Sequence, residues 1–128
     1  MIYGVGIDLV EIDRVERIVK KWGEKFLNKV FTENEIAYCN GRAFPPRHLA
    51  ARFAAKEALL KSFGMGLFDG IGLRDAEVCV SETGRPELKL HGPAGDLFRY
   101  RNMISVSLSL SHSDKYATAV VILEIRAT

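Results

Sequence analysis

The stretch PPRHLAARFAAKEALLKSFG, residues 45–64, decides the fold. Alanine and leucine dominate it, proline stands where a helix tolerates it, and glycine follows the last residue, so residues 46–63 are expected as the longest helix. Ala50, Ala51, Ala54, Ala55 and Ala58 surround that helix with small side chains, which calls for packing on several sides rather than one wet face. Glu57 is out of place there. Its neighbours one turn away are Phe53, Ala54 and Leu60, with Lys61 four residues on. An i,i+4 surface pair with Lys61, worth some tenths of a kcal/mol, is the plain explanation; a functional carboxylate is the other.

Upstream, residues 2–12 read as an opening strand, rich in β-branched and aliphatic side chains, with Gly4 and Gly6 permitting close backbone approach. Asp8 falls among Val5, Ile7, Leu9 and Val10, where a carboxylate must be paired, protonated or bound to a cation; a strand-end carboxylate is the alternative. Asp13 offers a helix N-cap with Glu16 three residues on, Val15, Ile18, Val19 and Trp22 supply an apolar row, and Gly23 a stop. Thr32 and Glu35 repeat the capping pattern before a shorter helix that Gly41 closes. Downstream, residues 76–81 and 87–90 flank a Gly- and Pro-bearing turn, and residues 93–101 suit a short helix. Ile104, Val106, Leu108 and Leu110 alternate with serines as a half-buried strand, and residues 116–125 form a last strand. The expectation is an α+β fold, an antiparallel sheet packed with a long helix and shorter helices, in one domain spanning residues 1–128.

Hydrophobic residues make up 48% and charged residues 27%, which excludes disordered and low-complexity classes. Eighteen basic against sixteen acidic side chains leave +2, so nucleic acid is not an expected partner. Cys39 and Cys79 stand too far apart for a zinc motif, and free thiols fit the cytoplasm. Neither apolar run is long enough to cross a bilayer, so no membrane role is expected. A GxxxxGK[ST] loop, a GxSxG elbow and an HExxH motif are all missing from the sequence.

Two carboxylates brought together from a strand and a helix repel unless a cation lies between them. Mg²⁺ suits such a pair, because it takes one or two protein carboxylates and completes its octahedron with water and phosphate oxygens. Arg47, Arg52, Lys56 and Lys61, with His48, offer countercharge to those phosphates. His112 shares the parity of the apolar strand face, where a structural role is the ordinary one. Arg14, Arg17 and Lys21 stripe the first helix, either as a solvated face or as a surface for an acidic protein.

Taken together, GVGIDLVEIDRV (residues 4–15), ARFAAKEALLKSFG (51–64), ETGRPEL (82–88) and VSLSLSHS (106–113) resemble the holo-acyl-carrier-protein synthase family of small 4′-phosphopantetheinyl transferases nearly end to end. That resemblance implies transfer of the phosphopantetheine arm of coenzyme A to a serine of apo acyl carrier protein, with Mg²⁺ as cofactor and adenosine 3′,5′-bisphosphate released, in fatty acid biosynthesis. It assigns Asp8 and Glu57 to the metal and gives Glu57 and Lys61 catalytic roles. The base that takes the serine proton stays open between a metal-bound water and Glu57 acting through water. Arg47, Arg52, Lys61 and His112 would border the coenzyme A phosphates and nucleotide, with Thr83, Gly84 and Pro86 in a nearby turn where Arg85 replaces a common lysine. Arg14, Arg17 and Lys21 would meet the carrier protein. A homotrimer with interfacial active sites is also implied. Two other readings use the same residues: a Mg²⁺-dependent nucleotide or pyrophosphate hydrolase, and a non-catalytic module in which Asp8 and Glu57 are structural.

Overall fold

The alanine-rich stretch does form the helix around which the other elements are arranged. The structure is a computed structural model and describes residues 1–66 and 70–127. In chain order the elements are β1 (Ile2–Glu11), α1 (Ile12–Trp22), α2 (Glu24–Val30), α3 (Glu33–Asn40), α4 (Pro45–Phe63), a 3₁₀ turn (Leu73–Asp75), β2 (Ala76–Val80), β3 (Pro86–Leu90), α5 (Gly92–Tyr100), β4 (Met103–His112) and β5 (Tyr116–Ile125). The fold is α+β: β1, β5 and β4 make an antiparallel sheet in that order, and β2 and β3 a separate hairpin.

Helix α4 starts at Pro45, one residue early, and ends at Gly64, whose φ of 78° is the left-handed stop that glycine supplies. Ala50, Ala54, Ala55 and Ala58 are fully buried on it. One side meets β1 at backbone distance. A Cβ added to Gly4 would lie 2.0 Å from the Ser62 carbonyl oxygen, and one added to Gly6 would lie 1.8 Å from that of Ala58. Gly4, Gly6, Asp8 and Val10 therefore share the face of β1 turned to α4, because successive strand residues alternate. The intervening Val5, Ile7 and Leu9 point outward and are 56%, 60% and 63% exposed.

Several local expectations fail for identifiable reasons. Strand β1 runs into α1 without a loop, so Glu11 takes the N-cap position with no side-chain cap, and Asp13 lies in the first turn, where its charge complements the helix dipole. Trp22 sits 52% exposed at the end of α1 rather than in its apolar row, with the Lys21 ammonium 5.3 Å from its ring centroid. Gly23, at φ 55°, both ends α1 and starts α2, a helix too short to leave a periodic signal. The Thr32 expectation holds: Glu35 N–H donates to Thr32 Oγ1 at 3.2 Å and Thr32 N–H to Glu35 Oε1 at 2.9 Å. In β4 a bulge between Met103 and Ser105 turns Ile104 out to solvent, while Val106, Leu108 and Leu110 keep the inward parity.

Candidate active site

Asp8 follows Gly4 and Gly6 on the inner face of β1, which carries its carboxylate to the Glu57–Lys61 turn of α4. Thr118 Oγ1 donates to the Asp8 carbonyl at 2.8 Å and ties the strand to β5. Lys61 Nζ donates to Asp8 Oδ1 and to the Ile7 carbonyl, both at 3.0 Å. The expected Glu57–Lys61 pair is absent, because the strand offers that ammonium two acceptors at once. Glu57 Oε1 is buried and accepts no hydrogen bond among the described residues. Burial first, and then the charge of Asp8, raise the Glu57 carboxyl above its ordinary 4.5, while Lys61 works the other way.

A buried orphan oxygen beside a second carboxylate is a donor set for a hard cation. No group of three or more His, Cys, Asp or Glu among the described residues could hold a metal unaided. Two carboxylates with the remaining positions left to water and phosphate is the Mg²⁺ pattern, and Asp8 and Glu57 fit it. Both line an open cleft of about 320 Å³ whose walls include Arg14, Ile18, Phe26 and Phe53. Arg14, expected with Arg17 and Lys21 to meet the carrier protein, thus lines the cleft of the acid pair. Arg17, 3.9 Å from Glu11, and Lys21 are exposed outside it.

A cationic cluster forms where α3, the start of α4 and the end of β4 converge. The guanidinium groups of Arg42 and Arg52 each sit 4.2 Å from the Tyr38 ring centroid, and His48 meets the same ring edge-on at 6.2 Å. Burial, and then the charges of Arg52, Arg42, His112 and Arg47, hold the His48 imidazole below its usual value, which favours its neutral form. Arg52 is only 3% exposed, yet its Nε has no partner, and neither does Arg47 Nε. Among the described residues none of these arginines has an ion pair, so three positive charges gather around His48 with no acid paired to any of them. An anion is what such a cluster lacks. Lys56, counted with these cations from sequence, does not join them: it is wholly buried and bound to Glu35.

Thr83 and Gly84 lie in the exposed β2–β3 turn, closed by Gly84 N–H donating to the Ser81 carbonyl at 2.9 Å, and half-buried Pro86 opens β3. Pro86 and Arg85 border a hollow shared with Val106, Ser107 and Leu108 of β4. Strand β4 is the sheet edge opposite β1. Within one chain, then, the turn is not brought to Asp8 and Glu57.

Residues 4–121 match the 4′-phosphopantetheinyl transferase superfamily. The chain belongs to that family. This transferase is 56% identical over 124 residues to the holo-[acyl-carrier-protein] synthase of Syntrophus aciditrophicus, covering 97% of each chain. Its fold superposes on the holo-[acyl-carrier-protein] synthase of Neisseria meningitidis with a TM-score of 0.88 at 34% identity, over 97% of this chain and 99% of the other. The synthase of Helicobacter pylori, solved in complex with coenzyme A, gives 0.83 at 32% identity, over 94% and 99%. The transferase is accordingly an enzyme of the holo-[acyl-carrier-protein] synthase kind. Among its described residues no helix is long and apolar enough to cross a membrane. Sequence reasoning missed Tyr38 and Arg42. Their only local signal is a ring and a guanidinium four positions apart, and the second stacking partner, Arg52, comes from another helix.

Proposed function

We propose that this transferase moves the 4′-phosphopantetheine arm of coenzyme A to a serine of apo acyl carrier protein, with Mg²⁺ as cofactor, in cytoplasmic fatty acid biosynthesis. The serine oxygen forms a bond to the phosphorus that carries pantetheine, the bond from that phosphorus to the leaving oxygen breaks, and adenosine 3′,5′-bisphosphate departs as the hydroxyl proton is lost. The observation that carries the reading is the half-buried acid pair: Asp8 held by Lys61, and Glu57 with an oxygen left over. Free thiols at Cys39 and Cys79 support the compartment.

Asp8 and Glu57 hold the ion, which when bound would neutralise charge on the diphosphate and the leaving group. Lys61, fixed between Asp8 and the β1 backbone, adds a positioned ammonium at the same place. Arg47, Arg52 and His112 receive the remaining phosphate and nucleotide, with Tyr38 stacking Arg52 into place. Excess arginine over acid in that cluster supports an anionic ligand. Arg17 and Lys21 steer the acidic carrier protein, and Arg14 reaches into the cleft from the same helix.

A homotrimer with interfacial sites is part of the proposal. Its support is the separation described above: if Thr83, Gly84 and Pro86 are to touch the same coenzyme A as Asp8, they have to come from a neighbouring subunit. The exposed apolar face of β1 offers such a subunit a surface.

Incubation with coenzyme A, Mg²⁺ and apo acyl carrier protein, followed by mass spectrometry of the carrier, tests the reading. A phosphopantetheinyl adduct that depends on Mg²⁺ is expected. Release of nucleotide without any acceptor protein would instead identify a hydrolase, and no reaction with either would return the acid pair to a structural role.

A further inference from the structure

Among the described glycines, the one with the least room for a side chain lies immediately beside the acid pair. Gly6 is two residues from Asp8 on the same strand face, and the Ala58 carbonyl that it meets belongs to the residue after Glu57. A Cβ at position 6 would stand 1.8 Å from that oxygen and 2.8 Å from both the Ala58 carbonyl carbon and the Ser62 nitrogen. An ordinary contact begins at 3.4 Å, so the helix would have to retreat by more than 1 Å. All three of those atoms are backbone, and none can rotate aside. Gly4 makes the same kind of contact with Ser62 one turn along, which fixes α4 against β1 in both translation and rotation.

We infer that Gly6 is a positioning residue that sets the gap between the Asp8 and Glu57 carboxylates, and that this fixed gap selects a small divalent ion over a larger one. The inference rests on the reading that Asp8 and Glu57 hold the metal. Mg²⁺ demands near-ideal geometry at about 2.0–2.1 Å, whereas Ca²⁺ accepts irregular shells at about 2.3–2.6 Å. With the backbone separation fixed by main-chain contact, only side-chain torsions are left to adjust the gap, and they serve one ion size better than the other. Widening it penalises the smaller ion first.

The test is calorimetric titration of the whole protein, without coenzyme A, using Mg²⁺, Mn²⁺ and Ca²⁺ salts. Wild type is expected to bind Mg²⁺ at least about fivefold tighter than Ca²⁺. Gly6→Ala is expected to lose about tenfold or more in Mg²⁺ affinity with a smaller loss for Ca²⁺, narrowing or reversing the order. Combining Gly6→Ala with Asp8→Glu, which adds one methylene to the reach, should restore part of the Mg²⁺ affinity. A folded Gly6→Ala protein with the wild-type Mg²⁺ to Ca²⁺ ratio overturns the inference while leaving the metal site standing. Should Gly6→Ala not fold, the wild-type series decides: affinities level across the three ions overturn it, and a clear preference for the smaller ions upholds it. Wild type that binds none of the three removes the metal reading itself.

Discussion

Lys56 and Glu57 are neighbours on α4, and their surroundings are opposite in kind. The Lys56 ammonium is wholly buried and uses all three donors: Glu35 Oε1 at 2.7 Å, the Leu73 carbonyl at 2.9 Å and the Ala76 carbonyl at 2.6 Å. Glu35 in turn accepts from Val78 N–H at 2.9 Å, and Thr32 Oγ1 donates to Glu77 at 2.6 Å, with His91 at 2.9 Å on the other Glu77 oxygen. Glu57, one residue on, keeps a buried oxygen without a donor and faces a second carboxylate. A saturated charge holds elements together; an unsaturated one is held ready for something not yet bound. Burial alone does not distinguish the two roles, but the count of partners does.

The largest effect that could break this contrast is on turnover. Glu57→Gln is expected to lower the rate of carrier modification by about a thousandfold or more, roughly 4 kcal/mol of transition-state stabilisation, with the melting temperature unchanged or raised. A folded Glu57→Gln enzyme of near-normal rate would end the assignment. Lys56→Met should do the reverse. It strands the Glu35 carboxylate in the core, so urea unfolding should show a loss of about 3–5 kcal/mol, while activity per folded molecule changes little. Adding Glu35→Leu should recover much of that loss.

A pH series sharpens the same comparison. Burial works to raise the Glu77 carboxyl, but hydrogen bonds from Thr32, His91 and Asn34 outweigh it and hold the group below its ordinary 4.5. A carboxyl depressed by folding stabilises the native state above its unfolded pKa and stops doing so as pH falls through its lower folded value. Glu77→Gln should therefore cost about 1 kcal/mol near neutrality, with the difference from wild type closing under acid titration of urea midpoints. Smallest of all, Arg17→Glu should raise the KM for the carrier protein by a few-fold, an effect that shrinks with added salt and leaves the KM for coenzyme A alone.

How much of this was legible beforehand depended on whether the cause was local. The long helix, the Thr32–Glu35 capping box and the alternation of β4 follow from composition and spacing within one element, and the structure has all three. Asp8 and Glu57 were visible as carboxylates in apolar company. What Lys61 does was not: helical spacing points it at Glu57, and only the arrival of β1 redirects it to Asp8. The loss of Lys56 to the core, the Tyr38 sandwich and the remoteness of the Thr83–Pro86 turn depend likewise on which elements become neighbours. A single bulge was enough to reverse the side taken by Ile104.

The three-stranded sheet joins the two ends of the described chain. Residues 2–11 pair with residues 116–124, and Met1 and Ile125 exchange hydrogen bonds of 2.7 and 2.8 Å. During synthesis the first strand, with Asp8 on it, therefore cannot complete its pairing until β5 has emerged. Such long-range closure is slow compared with helix formation, so α4 can form well before β1 docks along it. The pairing of Asp8 with Glu57 would then come only when β1 docks, a built-in delay between making the helix and completing its acid pair.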